Sequence, residues 1–213
     1  HRVRAVEHDA LDPNEASELL DGLRLARPRR ALRRGYRYWK AITTGKSTAL
    51  GGIPHDVYGM TTNSVHMYVL GLLEKLDLDE SGIYKTQTAG PDGDLGSNEI
   101  LISKDKTTGM CDGSGTLFDP SGLDREELER LARARLPVAG FNRAKLGPGG
   151  FLVLVEHMNV TLPDGTHYPQ GVKLRDTFHL SKYAQGDLFV PCGGRPNAVH
   201  ASNVQAMFID GVP

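Results

Sequence analysis

Between Ile83 and Asp119 the chain reads IYKTQTAGPDGDLGSNEILISKDKTTGMCDGSGTLFD, and few folds accept residues in that order. An extended run, Ile83 to Ala89, enters a glycine-rich turn. The turn opens a helical stretch from Leu95 to about Ser103, and a second short apolar run ends at Asp112. Strand, glycine loop, helix, strand and acid, in that sequence, are the requirements of a dinucleotide-binding βαβ unit. Gly90 is expected to turn the chain tightly back over the sheet. Gly93 has no Cβ to keep a pyrophosphate from the backbone, and Gly96 lets the helix pack close to its strand. The free N–H groups of Asp94, Leu95 and Gly96 would face the phosphates, where the helix dipole favours negative charge.

The spacing departs from the usual G-x-G-x-x-G. Only Gly93-x-x-Gly96 keeps it, and Pro91 stands where the first glycine would be, with Gly90 one residue earlier. Asp94 beside a pyrophosphate is repulsive unless it caps the helix or points away. Taken alone, the loop serves equally as an ordinary turn before a helix. Asp112, with Gly113 behind it, shifts the balance. It ends the next strand at the separation where a carboxylate accepts the hydrogen bond of an adenosine ribose 2′-OH. A 2′-phosphate would be repelled there, so loop and acid together point to NAD.

The 213 residues are enough for one or two domains with a real core. A formal net charge of −1 provides no bulk attraction to nucleic acid or to an anionic membrane. The Arg24 to Arg37 cluster, followed by Tyr38 and Trp39, is read as a solvated basic face rather than a nucleic-acid patch. No run is long and apolar enough for a membrane span. The two cysteines, Cys111 and Cys192, sit beside predicted strands and far apart, as reduced intracellular core residues do. The histidines show no paired ligand spacing, so no metal is expected.

Thr43 to Asp56 is a loop containing Thr-Gly-Lys-Ser, but a P-loop needs a glycine where Lys40 stands. A helix opened by Thr61, Thr62 or Asn63 follows. Val65, Tyr68, Val69, Leu72, Leu73 and Leu76 recur at helical spacing and form its expected core face. Asp124 and Glu127 form a capping-box pattern for a helix that Pro137 ends. Phe151 to Leu162 alternates as a strand, Asp164-Gly165 is a hairpin turn, and Val172 to Phe178 is the expected return strand. Asp187 to Cys192 reads as a short parallel strand, which brings Cys192, Gly193 and Asn197 near the nicotinamide end. The fold class expected is α/β, a Rossmann-like doubly wound, mainly parallel sheet with an inserted β-hairpin.

The strings YRYWKAITTGKSTALGGIPHDVYGMTT, QTAGPDGDLGSNEIL, DGSGTLFDPSGLD and DLFVPCGGRPN resemble the large-subunit, NAD-specific glutamate dehydrogenases, from about Gly35 to Asn197. The resemblance implies the cofactor domain of an enzyme that deaminates L-glutamate oxidatively to 2-oxoglutarate and ammonium, using NAD. It implies Asp112 as ribose ligand, Asn197 near the nicotinamide, and the Thr61-Thr62 pair near its carboxamide. It also implies residues 1–42 as a connecting segment on the substrate-domain side and 43–213 as an NAD-binding domain incomplete at its C-terminus. A homo-oligomer is expected of the full-length protein. The family's glycine-rich catalytic-lysine segment has no counterpart in these residues. Its proton-transfer acid falls near Asn14, an amide, with Asp12 across the proline, and an amide cannot shuttle a proton. The chain alone is therefore expected to be inactive. Two other readings stay open: a stand-alone nucleotide-binding or regulatory module, and a dehydrogenase for another amino acid.

Overall fold

The computed structural model describes residues 53, 55, 57–193 and 199–207. The Arg-rich stretch, the Thr-Gly-Lys-Ser loop, Asp12, Asn14 and Asn197 lie outside the described residues. The described elements are α1 (Met60–Lys75), β1 (Tyr84–Thr88), α2 (Asp94–Ile102), β2 (Lys106–Cys111), β3 (Gly115–Phe118) and α3 (Arg125–Ala134). After them come β4 (Phe151–Leu154), β5 (Met158–Thr161), β6 (His167–Gln170), α4 (Gly171–Thr177) and β7 (Leu188–Pro191).

One sheet has the strand order β4-β3-β2-β1-β7. β1 is central and pairs parallel with β2 and with β7. This is the βαβ unit expected from the glycine loop, with the Asp187 to Cys192 run completing the parallel side. Beyond β2 the sheet is mixed, because β3 runs antiparallel to both β2 and β4. Glycine-rich sequence around Gly113 to Gly115 hides β3 from a propensity reading, yet all four of its residues are buried.

Alternation along β2, β3 and β4 feeds two cores, one on each face. Met110, Leu117 and Leu152 join Ile100 of α2 and Leu128 and Leu131 of α3 on one side. Cys111, Phe118, Phe151 and Val153 meet Leu174 of α4 and Phe178 on the other. Both faces are thus covered, as a doubly wound Rossmann-like sheet requires.

The central strand is unusual in composition. Lys85, Thr86 and Gln87 have no exposure, in a position that normally holds Val or Ile. Each must find partners inside the protein. The Lys85 ammonium meets Asp105 Oδ2 at 2.7 Å, Glu99 Oε1 at 3.0 Å and Ser103 Oγ at 3.0 Å.

Four local expectations need correction. In α1 the buried residues are Thr62, His66, Val69 and Leu73, whereas Val65, Tyr68, Leu72 and Leu76 are exposed. Two apolar stripes overlap on this helix, and polar contacts select between them. The Thr62 hydroxyl donates to Leu95 O, and His66 lies 3.5 Å from Glu80 and 3.9 Å from Glu99. The N-cap is Gly59, not a hydroxyl of the Thr61 to Asn63 run. Phe151 to Leu162 is two strands in different sheets, and the hairpin partner of β5 is β6. Val172 to Phe178 is not the return strand but mostly helix, since Leu174 and Phe178, four apart, reach one core.

Asp124 caps α3 by accepting the Glu127 N–H at 2.8 Å. Only half of the capping box forms, because the Glu127 carboxylate turns to Arg130, at 2.7 and 2.8 Å, and to the Asn142 N–H. The Arg130 hydrogen bonds, above all, hold Glu127 down to about 2. A folded pKa below the unfolded one stabilises the protein above the ordinary carboxylate range, and that stabilisation is lost as pH falls toward 2. Glu127→Gln should therefore lower the unfolding free energy by about 1–2 kcal/mol near neutral pH and progressively less in acid, as read by urea denaturation across pH. Lys85→Ala strands two buried carboxylates and should lower it by about 3–5 kcal/mol in the same assay.

Candidate functional site

Loops from the carboxyl ends of β1, β2 and β7 meet at one edge of the sheet, where open α/β sheets bind ligands. β1 leaves the sheet at Ala89, whose φ of 70° is left-handed backbone that an alanine adopts only under constraint. The kink thus falls one residue before Gly90, where the sequence places it. Gly90 is glycine for a different reason. A Cβ there would run into the side chain of Asp112, which lies directly against its Cα.

The turn continues through Pro91 and Asp92 to Gly93, whose N–H donates to Gly90 O at 3.3 Å and which caps α2. Gly93 faces open space: a Cβ there would meet only Gly90 O, at 3.8 Å. Gly96 is closed by contrast. A Cβ on it would overlap the carbonyl oxygens of Gly90 and Ala89, so helix and strand end touch backbone to backbone. Gln87 fastens the turn from below, its Nε2 donating to Ala89 O at 3.0 Å and Gly96 O at 3.2 Å. The first amides of α2, those of Asp94, Leu95 and Gly96, have no carbonyl one turn back to receive them.

Asp94 resolves its own awkwardness by turning outward to Arg135 Nη1 at 2.7 Å. The Leu95 carbonyl accepts the Thr62 hydroxyl at 3.3 Å, which sets the start of α1 beside the start of α2, while Thr61 is exposed. On the other side the Cys192 N–H donates to Thr88 O at 3.0 Å, and Gly193 (φ 134°) sits near Ala89. Burial first, then the Glu99 and Asp105 carboxylates, push the Cys192 thiol up to about 12. It is therefore a neutral thiol at neutral pH and not a nucleophile.

Asp112 is buried and busy. Its Oδ1 accepts the Ser114 N–H and hydroxyl, each at 2.7 Å, and the Gly115 N–H at 3.3 Å, while Oδ2 accepts the Val138 N–H at 2.7 Å. It pins the β2–β3 turn and the chain after α3 to the glycine loop. Gly113 is exposed, and its carbonyl accepts Arg175 Nη1 at 3.2 Å. Of the residues singled out from sequence, Thr62, Gly90, Gly93 to Gly96, Asp112, Cys192 and Gly193 thus come together.

Sequence reasoning passed over Gln87, Asp92, Arg135 and Arg175. Gln87 alone carried a signal, since a carboxamide inside a buried strand needs polar partners, and its Nε2 finds two in this turn. Among the described residues no group of three or more His, Cys, Asp or Glu could hold a metal ion, and no helix is long and apolar enough to cross a membrane. A cavity of about 730 Å³ between Tyr84, Phe118, His179 and Phe189 touches neither the glycine turn nor Asp112.

A glycine turn from a central parallel strand onto a helix N-terminus, with the acid of the next strand packed on it, marks a Rossmann-like domain. The sequence profile of the Glutamate/Leucine/Phenylalanine/Valine dehydrogenase family matches residues 51–213, and the chain belongs to that family. It is 56% identical over 175 residues to glutamate dehydrogenase 2 of Dictyostelium discoideum, covering 82% of this chain and 17% of that protein. It is 53% identical over 178 residues to the NAD-specific glutamate dehydrogenase of Neurospora crassa, with 84% and 17% covered. For the NAD-specific enzyme of Saccharomyces cerevisiae the figures are 49% over 178 residues, 81% and 16%. The chain spans about one-sixth of the length of these relatives.

The two glycines separate by experiment. Gly96→Ala should lower stability by about 1–3 kcal/mol, because backbone must move to admit a methyl group. Gly93→Ala should change it by less than about 1 kcal/mol. Chemical denaturation of both variants checks the pair.

Proposed function

We propose that this chain is the NAD-binding portion of a glutamate dehydrogenase, an enzyme that deaminates L-glutamate oxidatively to 2-oxoglutarate and ammonium. The observation that carries the reading is the glycine turn on α2 with Asp112 packed against Gly90. The names of relatives at 49–56% identity support glutamate and NAD over the other substrates of the family.

The residues fit the cofactor. Gly93 leaves the approach to the helix open, and the amides of Asp94, Leu95 and Gly96 supply donors and the positive end of a dipole for a pyrophosphate. Asp94 is drawn aside by Arg135, so its charge is partly neutralised. Asp112 and Gly113 frame the adenosine ribose. Thr61, Thr62, Cys192 and Gly193 belong at the nicotinamide end, to which the family resemblance also assigns Asn197, and the neutral Cys192 thiol adds no charge there. When bound, NAD accepts the hydride from the substrate Cα. The proton chemistry and the recognition of glutamate are assigned to other parts of the whole polypeptide, in the assembly of copies that the family resemblance implies.

Calorimetric titration with NAD tests this. The unaltered protein should bind. Gly93→Val should stay folded and lose NAD binding through steric intrusion, and Asp112→Ala, which frees the loops that Asp112 holds, should weaken it by about 1–3 kcal/mol. A folded Gly93→Val variant of normal NAD affinity would reject the placement of the pyrophosphate.

A further inference from the structure

We propose that Asp92, between Gly90 and Gly93, is the carboxylate that reads the adenosine ribose: it accepts the 2′-OH and turns away a 2′-phosphate, while Asp112 holds the surrounding loops in place. The inference rests on the dinucleotide reading above and names the residue that sets its choice between NAD and NADP.

The geometry behind it begins with Asp112. Three donors converge on Oδ1 and the Val138 N–H takes Oδ2, with the residue 8% exposed, so this acid is committed to the protein's own backbone. Asp92 stands two residues beyond Gly90, the glycine whose Cα carries the Asp112 side chain, and it is exposed. Its carboxylate sits at the lip of the turn, near enough to its own amide and that of Gly93 for both to favour its charged form. Partial desolvation of its carboxyl, and then repulsion from Asp112, raise its pKa above the ordinary carboxylate value.

The remaining charges sharpen the selection. Arg135 is paired with Asp94, and Arg175 with Asp176 while also donating to the Gly113 carbonyl. Among the described residues around this turn, two guanidiniums, both engaged, therefore face four carboxylates. NADP-binding sites of this fold use an arginine to accommodate the 2′-phosphate. A phosphate monoester brings about 1.5 to 2 negative charges into a region already negative, whereas a hydroxyl brings a donor proton.

The test is titration of the purified protein and of Asp92→Asn with NAD and with NADP by calorimetry. The amide introduced by that substitution would retain an oxygen for the Gly93 N–H. Asp92→Ser repeats the test with a smaller side chain should the amide disturb the loop. In a folded variant, the ratio of NADP to NAD dissociation constants should fall at least about tenfold, mainly by tighter NADP binding. The ratio of the unaltered protein should also fall as salt rises, and that of the variant should fall less. A smaller change in both variants, or an equal change for both nucleotides, overturns the proposal. NAD binding with an unaltered ratio removes this inference alone. Failure of the unaltered protein to bind either nucleotide removes the cofactor reading and this one with it.

Discussion

The side chains of Lys85 and Gln87, carried without exposure on the middle strand of the sheet, are the constraint on which the rest depends. An ammonium in that position is tolerable only because Glu99, Asp105 and Ser103 surround it, from α2 and the segment leading into β2. Gln87, two residues on, reaches the other end of the same helix through Gly96 O. The Arg125 guanidinium also donates to the carbonyls of Ile100 and Ser103 at the helix C-terminus. Helix α2 is thus held along its length by directional polar contacts as well as by the apolar contact of Ile100, and the polar ones keep it from sliding. A dipole meant to meet a charged group must be aimed, and this is how it is aimed.

The strain and the open space of the site follow from the same arrangement. With Gly96 pressed onto the end of β1, the chain has little room to turn, and the left-handed kink lands on Ala89. Gly90 is then left to accept the Asp112 side chain against its Cα, which locks the end of β2 to the turn. Gly93, next to no neighbour but a carbonyl, is the one position facing outward. Three glycines close in sequence therefore do three different things: one receives an acid, one stays open and one permits a helix contact. The family to which the chain belongs accounts for the presence of such a turn, and the packing accounts for its particular residues.

Much of the architecture was legible from the residues. The β1 to β2 unit, the capped helix α3, the parallel strand β7 and the Asp164-Gly165 turn are all visible as local patterns. Where reading failed, two patterns competed. Helix α1 carries apolar residues on more than one side, and the stripe that faces inward is the one that brings His66 to Glu80 and Glu99. β3 is hidden by the turn-like Asp112 to Gly115 run that leads into it, although Thr116 and Phe118 suit a strand once neighbours on both sides supply the hydrogen bonds. Alternation from Phe151 to Leu162 continues across the break at Glu156 and His157, because periodicity records exposure and not which sheet a residue joins.

By itself, the order of residues determined that a strand ends in glycines at a helix start with an acid one strand later, because those requirements are local in backbone space and charge. It could not determine that the acid is held by Ser114, Gly115 and Val138, that Asp94 is drawn away by Arg135, or that Asp92 is exposed where Asp112 is buried. Those partners stand as far as 26 and 41 residues away along the chain. Only the assembled fold brings them within hydrogen-bonding range, and what a carboxylate can offer a ligand depends on the lone pairs its neighbours have left it.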